Sequence, residues 1–165
     1  MNTDDGFVML FNKPSDAFLQ EAAGRIIRPF PAGLRTEVGL VVANTAFDVF
    51  GSSLQRTFTR GDYHGTVIWS WQQAMLAAGL ERQIKRTDLQ AETIAQLRAA
   101  QTELWKVIQA ASGLHTGELW SWKAQDGKTD YDSFADAAVA EKRFVDESNA
   151  AQLWSTVYLA VQPPK

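Results

Sequence analysis

"GDYHGTVIWSWQQAMLAAGL" (Gly61–Leu80) crowds an Asp, a Tyr, a His and two Trp into its first eleven residues, then runs without a break into an apolar pattern. From Thr66 to about Leu80, the apolar residues Ile68, Trp69, Leu76 and Leu80 fall near helical spacing, and Gly79 stands where a helix can stop. Read as one helix, this segment makes the chain all-α. Trp69 and Trp71 then cannot share a face, because residues two apart on a helix point to different sides. Trp69 belongs to the apolar stripe, which leaves Trp71 needing another partner.

Working outward, two further segments carry the same period. Asp88–Ser112 has a stripe of Ile94, Leu97, Leu104, Ile108 and Ala111, with Thr87 and Gln90 spaced as a capping box and Gly113 suited to the turn after its end. Asn149–Val161 places Ala150, Leu153, Trp154, Val157, Tyr158 and Val161 on one face, before Pro163 and Pro164 forbid continuation. Asp16–Ile27 reads as a short helix ending before Pro29. Thr36–Phe50 has a strand-like Val run, yet Ala and Phe at helical spacing, and is assigned to helix with its neighbours. "RPFPAGL" (Arg28–Leu34) is an extended connector. In His115–Phe134, Trp120 and Trp122 alternate with Leu119 and Ser121 before Asp126-Gly127, the pattern of a short extended segment or small hairpin near 117–131. The expectation is a single helical domain over 1–165.

Composition narrows the functions. The chain has 165 residues, 45% of them hydrophobic, and a net charge of −3, which argues against a nucleic-acid or membrane surface. Arg25, Arg28 and Arg35 are interrupted by apolar residues and read as solvated surface. With no cysteine, disulfides and thiolate chemistry are excluded. The N-terminus carries Asp4 and Asp5 where a signal peptide needs positive charge, and no apolar run reaches the ~18 residues of a membrane span. A soluble chain without its own export address is expected, its compartment undetermined. His64 and His115 lie far apart outside any zinc-binding pattern, and no phosphate loop, nucleophile elbow or dinucleotide fingerprint occurs. No metal or cofactor is therefore expected.

What remains is carboxylates beside aromatic rings. One cluster is Asp62, Tyr63, His64, Trp69, Trp71 and Gln72. A second is Glu118, Trp120 and Trp122, and a third is Asp146, Glu147, Ser148, Asn149 and Trp154. Pyranose rings stack their C–H faces on aromatic rings and need polar partners for their hydroxyls, so this mixture suits a sugar site. Asp146 and Ser148 also suit a helix cap, His64 a structural hydrogen bond, and Trp69 and Trp154 the core. Glu118 stands between Gly117 and the Trp pair with no helix to cap. Trp120 and Trp122 share one face if extended, and an exposed pair calls for a ligand.

"YHGTVIWSWQQAMLAAGLERQ" (Tyr63–Gln83), "TGELWSW" (Thr116–Trp122) and "DESNAAQLWSTVYLAV" (Asp146–Val161) resemble the C-terminal hairpins of six-hairpin α/α-toroid glycosidases. "RPFPAGLRTEVGLVVANTAF" (Arg28–Phe47) resembles the loop and hairpin before them. That clan includes glucoamylases, trehalases, processing-type α-glucosidases and bacterial glycogen-debranching-like proteins. The resemblance implies helical hairpins forming part of a toroid, and hydrolysis with inversion by two carboxyl groups ~6.5–9.5 Å apart. It implies Glu118 as the base, with Glu147 its rival. Asp62, Tyr63, His64, Trp69, Trp71, Gln72, Trp120, Trp122 and Asn149 would line the subsite for an oligosaccharide or glucoside. A toroid needs twelve helices and an acid from earlier hairpins. The chain is thus expected to be the C-terminal portion of a larger enzyme, inactive alone, its uncovered faces open to self-association or to the missing hairpins. A non-catalytic carbohydrate-binding module and a helical protein-interaction domain are the alternatives.

Overall fold

The computed structural model describes residues 2–46, 58–125, 128–143 and 160–164. The expected helix Asn149–Val161, with Glu147 and Asn149, lies outside the described residues but for its last two positions.

The structure overturns the all-α reading. The described residues form five α-helices and a three-stranded antiparallel sheet. In chain order these are α1 (Asp5–Phe11), α2 (Asp16–Ile27), β1 (Val67–Trp69), α3 (Ser70–Ile84), α4 (Ala91–Ala110), β2 (Leu119–Gln125), β3 (Lys128–Ser133) and α5 (Phe134–Ala140), with a 3₁₀ turn at Ser112–Thr116. The error lies in the opening stretch. Val67, Ile68 and Trp69 form a strand, and the helix begins only at Ser70. Two β-branched residues and an aromatic, preceded by a tight glycine turn, pair with β2 at Val67↔Ser121, Ile68↔Trp120 and Trp69↔Leu119. β2 pairs in turn with β3, from Trp120↔Ser133 to Gln125↔Lys128, so the sheet order is β1-β2-β3. A sheet joined to helices on both sides replaces the expected run of toroid hairpins.

Both faces of the sheet are covered. Ile68, Trp120 and Trp122 enter a core with Leu19, Ile26, Leu34, Leu40, Leu76, Leu97 and Leu104. On the opposite face Val67, Trp69 and Leu119 pack with Trp71, Phe134 and Ala138. The segment after Arg35, expected as helix, is extended where described. It hydrogen-bonds from Val41 N to Leu34 O (2.9 Å) and from Val42 N to Val67 O (3.0 Å), burying Leu40 and Val41 along β1. Gly39 turns this segment at φ +143°, and a Cβ there would approach Ile68 Cγ2 to 2.7 Å.

Gly79 is not a helix stop, for α3 continues to Ile84. It is the point where α1 crosses α3: a Cβ at Gly79 would lie 2.8 Å from Met9 Cβ and 3.2 Å from Gly6 O. The crossing carries the N-terminal residues to the start of α3. At α4, the expected Thr87/Gln90 box does not form, and Gln90 makes no side-chain cap. Asp16 of α2 supplies the cap instead, accepting from Gln90 N (2.9 Å) and Thr93 Oγ1 (2.6 Å). These bonds, the Thr93 hydroxyl first, hold the Asp16 carboxyl below the ordinary aspartate range. A lowered folded value means that the stabilisation is fully present above the unfolded value and lost as pH falls through the folded one. Asp16→Asn is therefore expected to lower the melting temperature by a few degrees at pH 7. The difference from the parent should shrink steadily as the medium is acidified below about pH 4, and equal melting curves at neutral pH would remove the cap from the account.

Candidate functional site

The strand-to-helix junction at Trp69–Ser70 builds the site. Trp69 ends β1 with extended backbone (φ −101°, ψ 127°), and Trp71 is the second residue of α3. Two positions that would diverge on a continuous helix are thereby brought side by side, their rings stacked at 5.3 Å with 27° between planes. The preceding loop folds over them. Tyr63 lies 5.0 Å from Trp69, His64 lies 4.9 Å from it, and Tyr63 meets His64 edge-on at 5.0 Å. From α1, Phe7 meets the edge of Trp71 at 6.0 Å.

This loop is held from outside the pocket. Glu141, just past α5, accepts from the backbone N–H groups of Gly61 (2.8 Å) and Arg60 (3.2 Å). Asp62 is within 2.7 Å of the Thr59 hydroxyl and 3.4 Å of Arg143. Asp62 thus braces the loop and is absent from the pocket lining, against its expected place in the subsite.

The cavity has a volume of about 520 Å³ and is lined by Tyr63, His64, Trp69, Trp71 and Gln72, all expected from the sequence, with Asn2, Asp4, Phe7, Val42 and Ala43. Gln72 is buried and fixed by two partners. Its Oε1 accepts from the Thr3 hydroxyl, and its Nε2 donates to Asp4 Oδ1 at 3.4 Å. The N-terminal contributors were not legible from local sequence: a bridge between Asn2 and Ala43 and the α1–α3 crossing bring them in.

The second cluster goes elsewhere. Trp120 and Trp122 do share a face of β2, but that face is the core: they are 1% and 5% exposed, and Phe30 meets Trp122 edge-on at 4.7 Å. Neither lines the aromatic cavity, whereas Trp69 and Trp71, themselves 5% and 9% exposed, do. Glu118 is 0% exposed. Its Oε1 accepts from the Tyr63 hydroxyl, and its backbone carbonyl accepts from Ser70 N (2.9 Å) and Ser70 Oγ (2.8 Å). A carboxyl group withdrawn behind the tyrosine wall fixes that wall. It does not present a base to a water in the cavity, as the glycosidase resemblance required.

No family model, curated protein or solved structure matches this chain. Chemistry must therefore be argued from the cavity itself. Among the described residues, no group of three or more His, Asp or Glu could hold a metal ion, and no helix is long and apolar enough to cross a membrane. A larger groove of about 760 Å³ lies between α3 and residues 160–164, lined by Glu81, Arg82, Lys85, Val161 and Pro163 among others. Its described lining is of mixed charge and holds no aromatic ring. The aromatic cavity has the shape-giving rings, the oriented amide and the carboxylate that recognition of a small molecule needs.

Proposed function

We propose that this chain is a saccharide-binding domain whose site is the cavity between the start of α3, the 61–66 loop and the N-terminus. The stacked Trp69/Trp71 pair at the cavity wall is the observation that carries this reading. Trp69 and Trp71, 5% and 9% exposed, put apolar indole surface on the cavity wall against which the C–H face of a pyranose can pack, while Gln72, Asp4 and Asn2 offer donors and acceptors to hydroxyls. Thr3 holds the Gln72 amide and Glu118 holds Tyr63, so two of the contacting groups are oriented before a ligand arrives. Such preorganisation reduces the entropy lost on binding.

Hydrolysis is not part of the proposal. Inverting glycosidases need two carboxyl groups facing the scissile bond across a water. Asp4 is the one carboxylate among the described lining residues, and Glu118 is sealed behind Tyr63. The geometry therefore supports the binding half of the glycosidase resemblance.

Titration of intrinsic tryptophan fluorescence with glucose, trehalose, maltose and longer α-glucans tests the reading, since the platforms are also reporters. A saturable change with at least one sugar is expected, with Trp71→Ala weakening it by about tenfold or more, equivalent to the loss of ~1.4 kcal/mol. A flat response to every sugar, in protein shown by circular dichroism to be folded, would sink the proposal.

A further inference from the structure

The aromatic cavity is lined by the rings of Phe7, Tyr63, His64, Trp69 and Trp71 and, among the described residues, by one carboxylate, Asp4. At the rim stands Asp4, exposed to solvent and engaged by the neutral amide of Gln72. No Lys or Arg is among the described lining residues. Arg25 pairs with Asp5 at 2.7 Å, and Arg143 lies 3.4 Å from Asp62. Among the described residues Asp4 forms no ion pair. An unneutralised carboxylate beside stacked indoles is the arrangement that attracts an organic cation.

We infer that the cavity selects its ligand by charge, taking a ring that bears an ammonium group over its neutral counterpart and turning away the carboxylate analogue. Combined with the saccharide reading, on which this last identification rests, the preferred ligand class is an amino sugar. The ammonium group sits toward Asp4 and the ring lies on Trp69 and Trp71. A uronic acid of the same shape brings its carboxylate against Asp4 and the ring faces.

The experiment compares methyl glycosides of glucose, glucosamine and glucuronic acid, all of one anomer, by fluorescence titration at one pH and one ionic strength. Tetramethylammonium serves as a fourth probe that carries charge and no sugar. The amino sugar is expected to bind about three- to fivefold more tightly than the neutral one, the size of a cation–π contribution at a solvent-accessible site, and the uronate most weakly. Asp4→Asn, which keeps the shape and the Gln72 contact, should bring the amino-to-neutral ratio close to one with an unchanged melting curve. Added salt should shrink the same ratio, because an exposed carboxylate is screened.

Equal binding of the neutral and amino sugars overturns charge selection and leaves the saccharide site standing. So does a preference that survives Asp4→Asn. Binding of tetramethylammonium that depends on Asp4, with no sugar bound, supports charge selection and overturns the saccharide reading together with the amino-sugar assignment. Silence from all four probes in folded protein overturns both.

Discussion

Trp120→Ala is expected to lower the free energy of unfolding by about 3–5 kcal/mol, the cost of deleting a large buried aromatic side chain. Trp120 is 1% exposed, stands opposite Ile68 in the β1–β2 register, and packs in the core that also holds Leu19, Ile26, Leu40 and Leu104. Elements from both ends of the chain converge on it, so the void left behind has no single flexible neighbour to collapse into it. Against a typical total of 5–15 kcal/mol, such a loss consumes a large share of the stability. Chemical denaturation followed by far-ultraviolet circular dichroism measures it directly. A solvent-facing platform would behave in the opposite way: surface substitutions mostly stay within about ±0.5 kcal/mol, and the loss would fall on ligand affinity. A small change in stability with abolished sugar binding would return Trp120 to the site and remove it from the core.

The same residue shows where sequence reasoning stops. Alternation along Leu119–Trp122 correctly puts Trp120 and Trp122 on one side of an extended segment, but alternation carries no information about which side is wet. Here neither is, because Leu119 and Ser121 are also buried. α2 was legible over Asp16–Ile27 because twelve residues suffice to display a helical period, with Ser15 before it accepting from Phe18 N. α4 was legible for the same reason, although its cap was not, since the capping carboxylate comes from Asp16 on another helix. β1 was invisible. It has three residues, it runs straight into α3, and Ile68 and Trp69 fall near helical spacing with Leu76 and Leu80 of that helix. That one merging hid the third strand and with it the fold class, although the hairpin expected near 117–131 is present as β2 and β3.

The first aromatic cluster was legible as a group, because Tyr63, His64, Trp69, Trp71 and Gln72 are within ten residues of one another and all line one cavity. Its geometry was not. A helix over Thr66–Leu80 separates the two indoles, and only the change of backbone between Trp69 and Ser70 stacks them. Asp4 and Phe7 were illegible for a different reason: they reach the site through the close crossing of α1 over Gly79, a contact more than sixty positions away in the chain. Glu118 looked functional because it stands between Gly117 and the Trp120/Trp122 pair with no helix to cap. Its burial is decided by Tyr63 and Ser70, which meet it only in the folded state.

Gly65→Ala is expected to be the most damaging of the small substitutions, at about 2–4 kcal/mol, in the range of overpacking combined with displaced backbone. A Cβ built on Gly65 overlaps the Thr59 carbonyl oxygen and lies 2.9 Å from Asp62 O and 3.0 Å from Thr59 C. These are backbone atoms, so no side-chain rotation relieves the clash. The loop must open instead, breaking Gly65 N to Asp62 O (2.8 Å) and Thr66 N to Thr59 O (2.9 Å). Tyr63 and His64 are carried on that loop, so the aromatic wall moves with it, and Glu118 loses the hydroxyl it accepts from. Gly113→Ala supplies the control, because a Cβ there meets nothing within 4 Å. Relieved of the glycine's freedom in the unfolded chain, Gly113→Ala should be neutral or stabilising by up to about 1 kcal/mol. Thermal melts of the two variants should therefore move apart from the parent, the first sharply down and the second level or up. Only the first should change the fluorescence of the Trp69/Trp71 pair in the folded baseline. Equal melts for both would mean that the 59–66 loop yields without cost, and the cavity would then lose the rigid wall on which ligand recognition rests.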